Sequence, residues 1–205
     1  MNILFVNASP HSQLSHGYGL AREMIDMLGK SADISVVERD LNSQPLPPIT
    51  ENYARAIVSS DPDASQFDVS ELLIREIETT DALVINTPMH NFTVPAALKL
   101  WIDYVLRVHR TFAVTPEGKV GLMRDRPTFV IVASGGFHSG ERAWQGDFLT
   151  PYLRYALSSI GLKSVDFVLL QGLTRGDEVV ANSLQSARKQ IARHALFVSD
   201  DAITL

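Results

Sequence analysis

Three stretches of this 205-residue sequence carry residue types suited to holding a small phosphorylated, ring-containing ligand, and each follows an apolar run. The first is Ala8-Ser9-Pro10-His11-Ser12-Gln13-Leu14-Ser15-His16-Gly17, with no Lys or Arg before Arg22. A phosphate there is held by backbone N–H groups, by the hydroxyls of Ser9 and Ser15, and by the positive end of the helix that follows. Each hydrogen bond to a charged oxygen contributes about 1.5–3 kcal/mol, so three or four suffice without a cation. The plainer alternative makes Ser15 only a helix N-cap. The second stretch is Thr87-Pro88-Met89-His90-Asn91-Phe92-Thr93-Val94-Pro95. Its prolines fix their own φ and restrain the residues before them, so a stiff backbone can present N–H and C=O groups to a flat heterocycle. Met89 and Phe92 then pack on its faces; otherwise Phe92 is core and Pro95 a helix starter. The third is Ala133-Ser134-Gly135-Gly136-Phe137-His138-Ser139-Gly140, where adjacent glycines either admit a ligand close to the backbone or make a simple turn.

More familiar chemistry is absent from the sequence. Gly17-Tyr18-Gly19 begins a G-x-G-x-x-G motif that Arg22 breaks, and Gly29-Lys30-Ser31 mimics a P-loop whose first glycine is Met24. There is no G-x-S-x-G elbow and no H-E-x-x-H motif. His11 and His16 lack partners, so no metal site is expected. With no cysteine, a disulfide scaffold, an iron–sulfur cluster and a thiol nucleophile are all excluded. A net charge of −5 makes the chain a poor nucleic-acid binder. The N-terminus enters an apolar strand without a positively charged leader, and no apolar stretch approaches the roughly 20 residues of a membrane span. A soluble, cytoplasmic protein without membrane insertion is expected.

The positioning elements are read from periodicity. Ile3–Asn7, Ile34–Val37, Ala82–Asn86, Thr128–Ala133 and Val165–Leu170 are apolar runs of strand length. Helical spacing recurs in Leu20–Leu28, Val69–Ile77, Leu98–His109, Leu149–Ile160 and Val180–Ala195. Residues 40–66, with Pro45, Pro47, Pro48 and Pro62, form an excursion with at most a short helix near Tyr53–Val58. Non-alternating strands between helices predict one doubly wound α/β domain over residues 1–205, with a parallel sheet covered on both faces. Ligands of such sheets bind beyond the carboxyl ends of the strands, where the three stretches lie.

On these residues the chain resembles the FMN-dependent NAD(P)H azoreductase and quinone reductase family. Pro88-Met89-His90-Asn91-Phe92 is similar to that family's Pro-Met-Tyr-Asn-Phe flavin loop, and Pro95-Ala96-Ala97-Leu98-Lys99-Leu100-Trp101-Ile102-Asp103 to the helix after it. Ser9 and Ser15 match phosphate-loop serines, and Gly135-Gly136 matches the third flavin loop. Thr111-Phe112, Gly121-Leu122 and Thr150-Pro151-Tyr152-Leu153 follow in the family's order. The departures are His90 for tyrosine, Gly17 for a third serine, Ala133-Ser134 for Ser-Arg, and Val114 for an aromatic residue.

The resemblance implies a flavodoxin-like five-stranded sheet of order 2-1-3-4-5. It implies tightly bound FMN, with Ser9, Ser15, His16, Gly17, Pro88, Met89, His90, Asn91, Phe92, Ser134, Gly135 and Gly136 as cofactor-binding residues. NADH or NADPH would donate a hydride, and a quinone or azo compound would accept it in a ping-pong cycle. Phe92, Phe112, Phe137 and His138 are the expected substrate contacts, with Tyr152 a further wall candidate. His90 and His138 are candidate proton donors, or serve only for contact and orientation. A homodimer is implied, with residues 40–66 and the helix beginning near Val94 as interface candidates. The rival readings are a flavodoxin-type electron carrier and a flavodoxin-like regulatory subunit.

Overall fold

In the computed structural model, residues 1–30 and 32–197 are described; Ser31 and the last eight residues of the predicted 1–205 domain lie outside them. In chain order the strands are β1 (Asn2–Asn7), β2 (Ser35–Asp40), β3 (Ala82–Pro88), β4 (Phe112–Thr115), β5 (Gly118–Gly121), β6 (Thr128–Ala133) and β7 (Val165–Leu170). The helices are α1 (His16–Gly29), α2 (Glu51–Val58), α3 (Asp68–Glu78), α4 (Ala96–Val105), α5 (Thr150–Ser159) and α6 (Asp177–Ala192). Every apolar run read as a strand enters one parallel sheet, ordered β2-β1-β3-β6-β7. This is the flavodoxin-like order, with the third helix-flanked gap holding an extra hairpin.

Strand residues alternate between two separate cores. Leu4, Val6, Leu83, Ile85, Val130 and Val132 pack against α3, α4 and α5. Ile3, Phe5, Val84, Phe129, Ile131 and Val168 pack against α1 and α6. Both faces of β1, β3 and β6 are therefore dry, which is why these strands show no polar alternation, whereas the edge strand β2 is largely exposed. Because β1 and β3 pair in parallel, Asn7 stands directly beside Asn86 at the carboxyl edge.

Several boundaries differ from the sequence reading. The antiparallel β4–β5 hairpin was not predicted; its strands are four residues each and carry too little pattern to read. Helix α4 stops at Val105, and His109 lies beyond it at φ 62°. Pro95 is the residue before α4, with its extended backbone, not part of its first turn. The excursion does hold a helix, α2, whose cap Thr50 accepts from Tyr53 N–H at 3.1 Å. Tyr53 is anchored edge-on against Phe67 and Tyr104, and Tyr104 Oη donates to Pro47 O at 3.0 Å, which ties the proline-rich segment to α4. Among the described residues no helix is long and apolar enough to cross a membrane.

Candidate functional site

A cleft of about 400 Å³ opens at the carboxyl edge of the sheet, within the roughly 300–1,000 Å³ of small-molecule sites. Ser9, Ser15, His16, Pro88, Met89, His90, Ser134 and Gly135 line it, so the three stretches singled out in the sequence converge. Sequence reasoning missed Leu173 and Thr174, which close the cleft from the loop after β7. The signal available was Gly172 and Gly176 flanking that loop, both at positive φ.

The first loop delivers hydroxyls and helix dipole together. Ser15 is the N-cap of α1, its Oγ accepting from Tyr18 N–H at 3.1 Å, and His16 is the first helical residue, exposed. Ser9 is buried, its N–H turned to Asn7 Oδ1 at 3.3 Å. Gly17 faces inward rather than into the cleft, and a Cβ there would collide with Asn86 Oδ1. The missing serine at this position therefore reflects space already taken by Asn86. Gly17→Ser should lower stability by about 1–3 kcal/mol through overpacking, and not tighten phosphate binding. Thermal melts and flavin titration check this; a more stable or tighter-binding variant would contradict it.

The second loop is stiffer than its prolines require. Met89 N–H donates to Ala133 O at 2.8 Å. His90 and Thr93 exchange backbone hydrogen bonds of 2.9 and 3.0 Å, closing a two-residue turn. Its central residues, Asn91 and Phe92, sit at φ 47° and 72°. Asparagine tolerates that region, whereas a bulky residue is strained there by about 1–3 kcal/mol. Phe92 is also 51% exposed, so it is not the core residue of the plainer reading. Neither Asn91 nor Phe92 is among the residues that line the cleft; the exposed Phe92 ring lies two positions beyond His90, which does line it. Phe92→Gly should raise the melting temperature by a few degrees while weakening substrate binding several-fold; KM and melting temperature measured together test the trade.

In the third loop Ser134 Oγ donates to Gly136 O at 2.9 Å. A Cβ on Gly135 would lie 2.9 Å from Thr174 Cγ2, and one on Gly136 2.7 Å from Gln145 Oε1. Close side-chain neighbours, not unusual φ, mark these positions; at Gly136 the nearest is the tip of the flexible Gln145, which can swing aside. Gly136 is only partly exposed and does not line the cleft.

Three expected substrate contacts are placed elsewhere. Phe112 is buried in the α3–α5 core, with the Lys119 ammonium 4.7 Å from its ring centre. Phe137 stacks under the Arg142 guanidinium at 4.2 Å and lines a separate groove beside α6. His138 has a fully buried side chain, with Nδ1 3.2 Å from Asp147 Oδ2 and Nε2 without a partner. A side chain so enclosed cannot hand a proton to a substrate in the cleft; it holds the loop. His90, exposed on the cleft wall, keeps its place as a proton-donor candidate.

A family model described as flavodoxin-like fold matches residues 1–195. An FMN-dependent NADH:quinone oxidoreductase 4 of Pseudomonas fluorescens is 57% identical over 198 residues, spanning 96% of each chain. The chain belongs to the FMN-dependent NADH:quinone oxidoreductase family. A second member of this family, quinone oxidoreductase 5 of Burkholderia lata, is 50% identical over 95% of each chain. Among solved structures, an azoreductase from Bacillus anthracis superposes with a TM-score of 0.81 at 24% identity, covering 95% of this chain and all of that one. At that identity the likeness speaks for the fold, and the family assignment rests on the relatives.

Proposed function

We propose that this protein is an enzyme that takes electrons from NADH through FMN held in the carboxyl-edge cleft and delivers them to quinones and azo compounds. The observation that carries this reading is the convergence of hydroxyl, helix-end and glycine-loop donors on one cleft, in a chain related throughout its length to proteins described as FMN-dependent. The residues fit the cofactor. Ser15 and Ser9 with the α1 N-terminus suit a phosphate, Pro88–His90 a ring edge, and Ser134–Gly135 with Thr174 the opposite edge. FMN, when bound, supplies the two-electron hydride chemistry.

The protein's own groups position and protonate. The turn at His90–Thr93 spends the N–H groups of His90 and Thr93 on its own bonds and fixes the backbone of Asn91 and Phe92 before the cofactor arrives, which lowers the ordering cost of binding. His90 lines the cleft, and in this reading its imidazole gives a proton to the reduced acceptor. One cleft visited in turn by donor and acceptor gives ping-pong kinetics. Exposed Phe92, Trp144, Phe148 and Tyr155 supply apolar surface for a second copy, and a cytoplasmic homodimer is part of this reading.

The test is to purify the chain without added flavin and record its visible spectrum under nitrogen before and after NADH. FMN released on denaturation, direct bleaching by NADH and parallel double-reciprocal lines with a quinone are the expected results. Flavin that NADH and NADPH both leave oxidised would instead mark an electron carrier. Failure to take up FMN at all would end the flavin reading. Sedimentation as a single-chain species would remove the homodimer.

A further inference from the structure

Beneath the Ser9–Gly17 loop runs a line of buried polar side chains. Asp40, at the end of β2, is 8% exposed and accepts four hydrogen bonds. Asn42 and Ser43 N–H reach its Oδ1 at 2.8 and 3.0 Å, and Asn7 Nδ2 and Ser12 Oγ reach its Oδ2 at 3.0 Å each. An ionised carboxylate only accepts, so Asn7 must turn its NH2 toward it. Ser9 N–H, 3.3 Å from Asn7 Oδ1, favours the same orientation through a longer and weaker contact than the one to Asp40. Asn86 Nδ2 then donates to Asn7 Oδ1 at 2.8 Å and to Ser15 Oγ at 3.2 Å. Ser15 Oγ also receives Tyr18 N–H, which occupies its second acceptor position. Its own O–H has no acceptor among the described residues, and Ser15 lines the cleft.

We propose that Asp40, acting through Asn7 and Asn86, is a positioning residue that commits the Ser15 hydroxyl to donating into the cleft, onto the phosphate of the cofactor. The inference rests on the FMN reading of that cleft. A reversal of the line shows its content. In Asp40→Asn, an NH2 at the Oδ2 position opposes Asn7 Nδ2. Asn7 turns over at the cost of its long bond from Ser9 N–H, Asn86 follows, and Asn86 Oδ1 then faces Ser15 and accepts the hydrogen bond of its O–H. Gly17 leaves Asn86 the room to be there, since any side chain at that position would displace it.

Simple electrostatics predicts the opposite sign. Asp40→Asn removes a negative charge beneath the loop that would hold the phosphate dianion and, on charge alone, should tighten FMN. The relay predicts weakening of FMN by about tenfold or more, the loss of one hydrogen bond to a charged oxygen. Riboflavin, which has the same ring and no phosphate, should be held equally by both proteins.

Apoprotein of the full chain is titrated with FMN and with riboflavin by fluorescence quenching, for the wild type, Asp40→Asn, Asn86→Ala and the double variant. The expected result is a fall of about tenfold in the FMN-to-riboflavin affinity ratio for Asp40→Asn, with no further fall when it is added to Asn86→Ala. Should Asp40→Asn fail to fold, Asn86→Ala by itself must lower the ratio, because Ser15 is then free to turn away. Equal losses for both flavins, or tighter FMN binding, overturn the relay. Wild-type protein that binds neither flavin overturns the cofactor reading itself, which is a separate result.

Discussion

Gly161→Ala is expected to destabilise the protein by on the order of 3–5 kcal/mol, a large part of the roughly 5–15 kcal/mol that holds a domain folded. Gly161 follows α5 at φ 109°, a region an L-residue enters only at about 1–3 kcal/mol. A Cβ there would also run into Met123 O, and a Cβ on Gly121 of β5 would in turn run into the backbone of Ile160 and Gly161. Both neighbours are main chain, so no side chain can swing away. The β4–β5 hairpin is docked on the end of α5 by this glycine-to-glycine contact, with Met123 N–H donating to Ile160 O at 3.0 Å. Gly118→Ala supplies the control. Its φ is 123°, yet nothing lies within 4 Å of its missing Cβ. Gly118→Ala should therefore show the backbone strain alone, and Gly161→Ala should melt several degrees lower still. Equal melting temperatures for the two variants would remove the overlap from the explanation.

Asp147→Ala is expected to cost about 2–4 kcal/mol and to loosen the third loop. Asp147 accepts from Leu149 N–H at 3.0 Å and Thr150 N–H at 2.9 Å, which satisfies donors at the start of α5. It also accepts from Thr150 Oγ1 at 2.5 Å and faces His138 Nδ1. Loss of the helix-end acceptor costs about 0.5–2 kcal/mol, and a buried His138 left without a partner adds about 1–3 kcal/mol. The melting temperature should fall by roughly 4–16 °C, and FMN should be released faster.

The pH dependence has a definite sign. Burial pushes the Asp147 carboxyl upward, but the hydroxyl and N–H of Thr150 and the His138 ring outweigh it and hold it below the ordinary carboxylate range. A depressed folded value means the stabilisation is complete above the unfolded value of about 3.9 and is lost as pH falls through the folded one. The gap in melting temperature between wild type and Asp147→Ala should thus narrow as pH drops from about 6 to about 3. A gap that stays constant over that window would assign the loss to packing alone. Asp40 and Asp125 are depressed likewise, burial opposing and hydrogen bonds prevailing, so the wild type itself should weaken in acid.

Most of the sheet was legible because a strand buried on both faces must be apolar throughout, and Ile3–Val6, Ala82–Ile85 and Thr128–Val132 leave no other reading. The three cleft loops were legible because their residue types make poor helix or strand and follow those runs directly. The β4–β5 hairpin was not, since Val114, Val120 and Leu122 are exposed and a four-residue strand has no period to detect. Helix α4 was overextended to His109 for a related reason. Arg107 leaves the helix for long-range bonds to Ser70 and Glu71, which no local spacing announces, and Thr111 Oγ1 caps the Val105 carbonyl from six residues on.

The sequence by itself determined the fold class, the edge of the sheet that bears the cleft, and the residue types available there, because periodicity and loop placement are local properties of the chain. Only the tertiary structure decided which of those residues act together. It turned His138 inward to Asp147, sent Phe112 into the core, brought Leu173 and Thr174 to the cleft, and set Asn86 in the space beside Gly17. The direction of a hydrogen-bond line from Asp40 to Ser15 depends on donors and acceptors 33 to 79 positions apart in the chain, and such distances are closed only by the packing of the sheet.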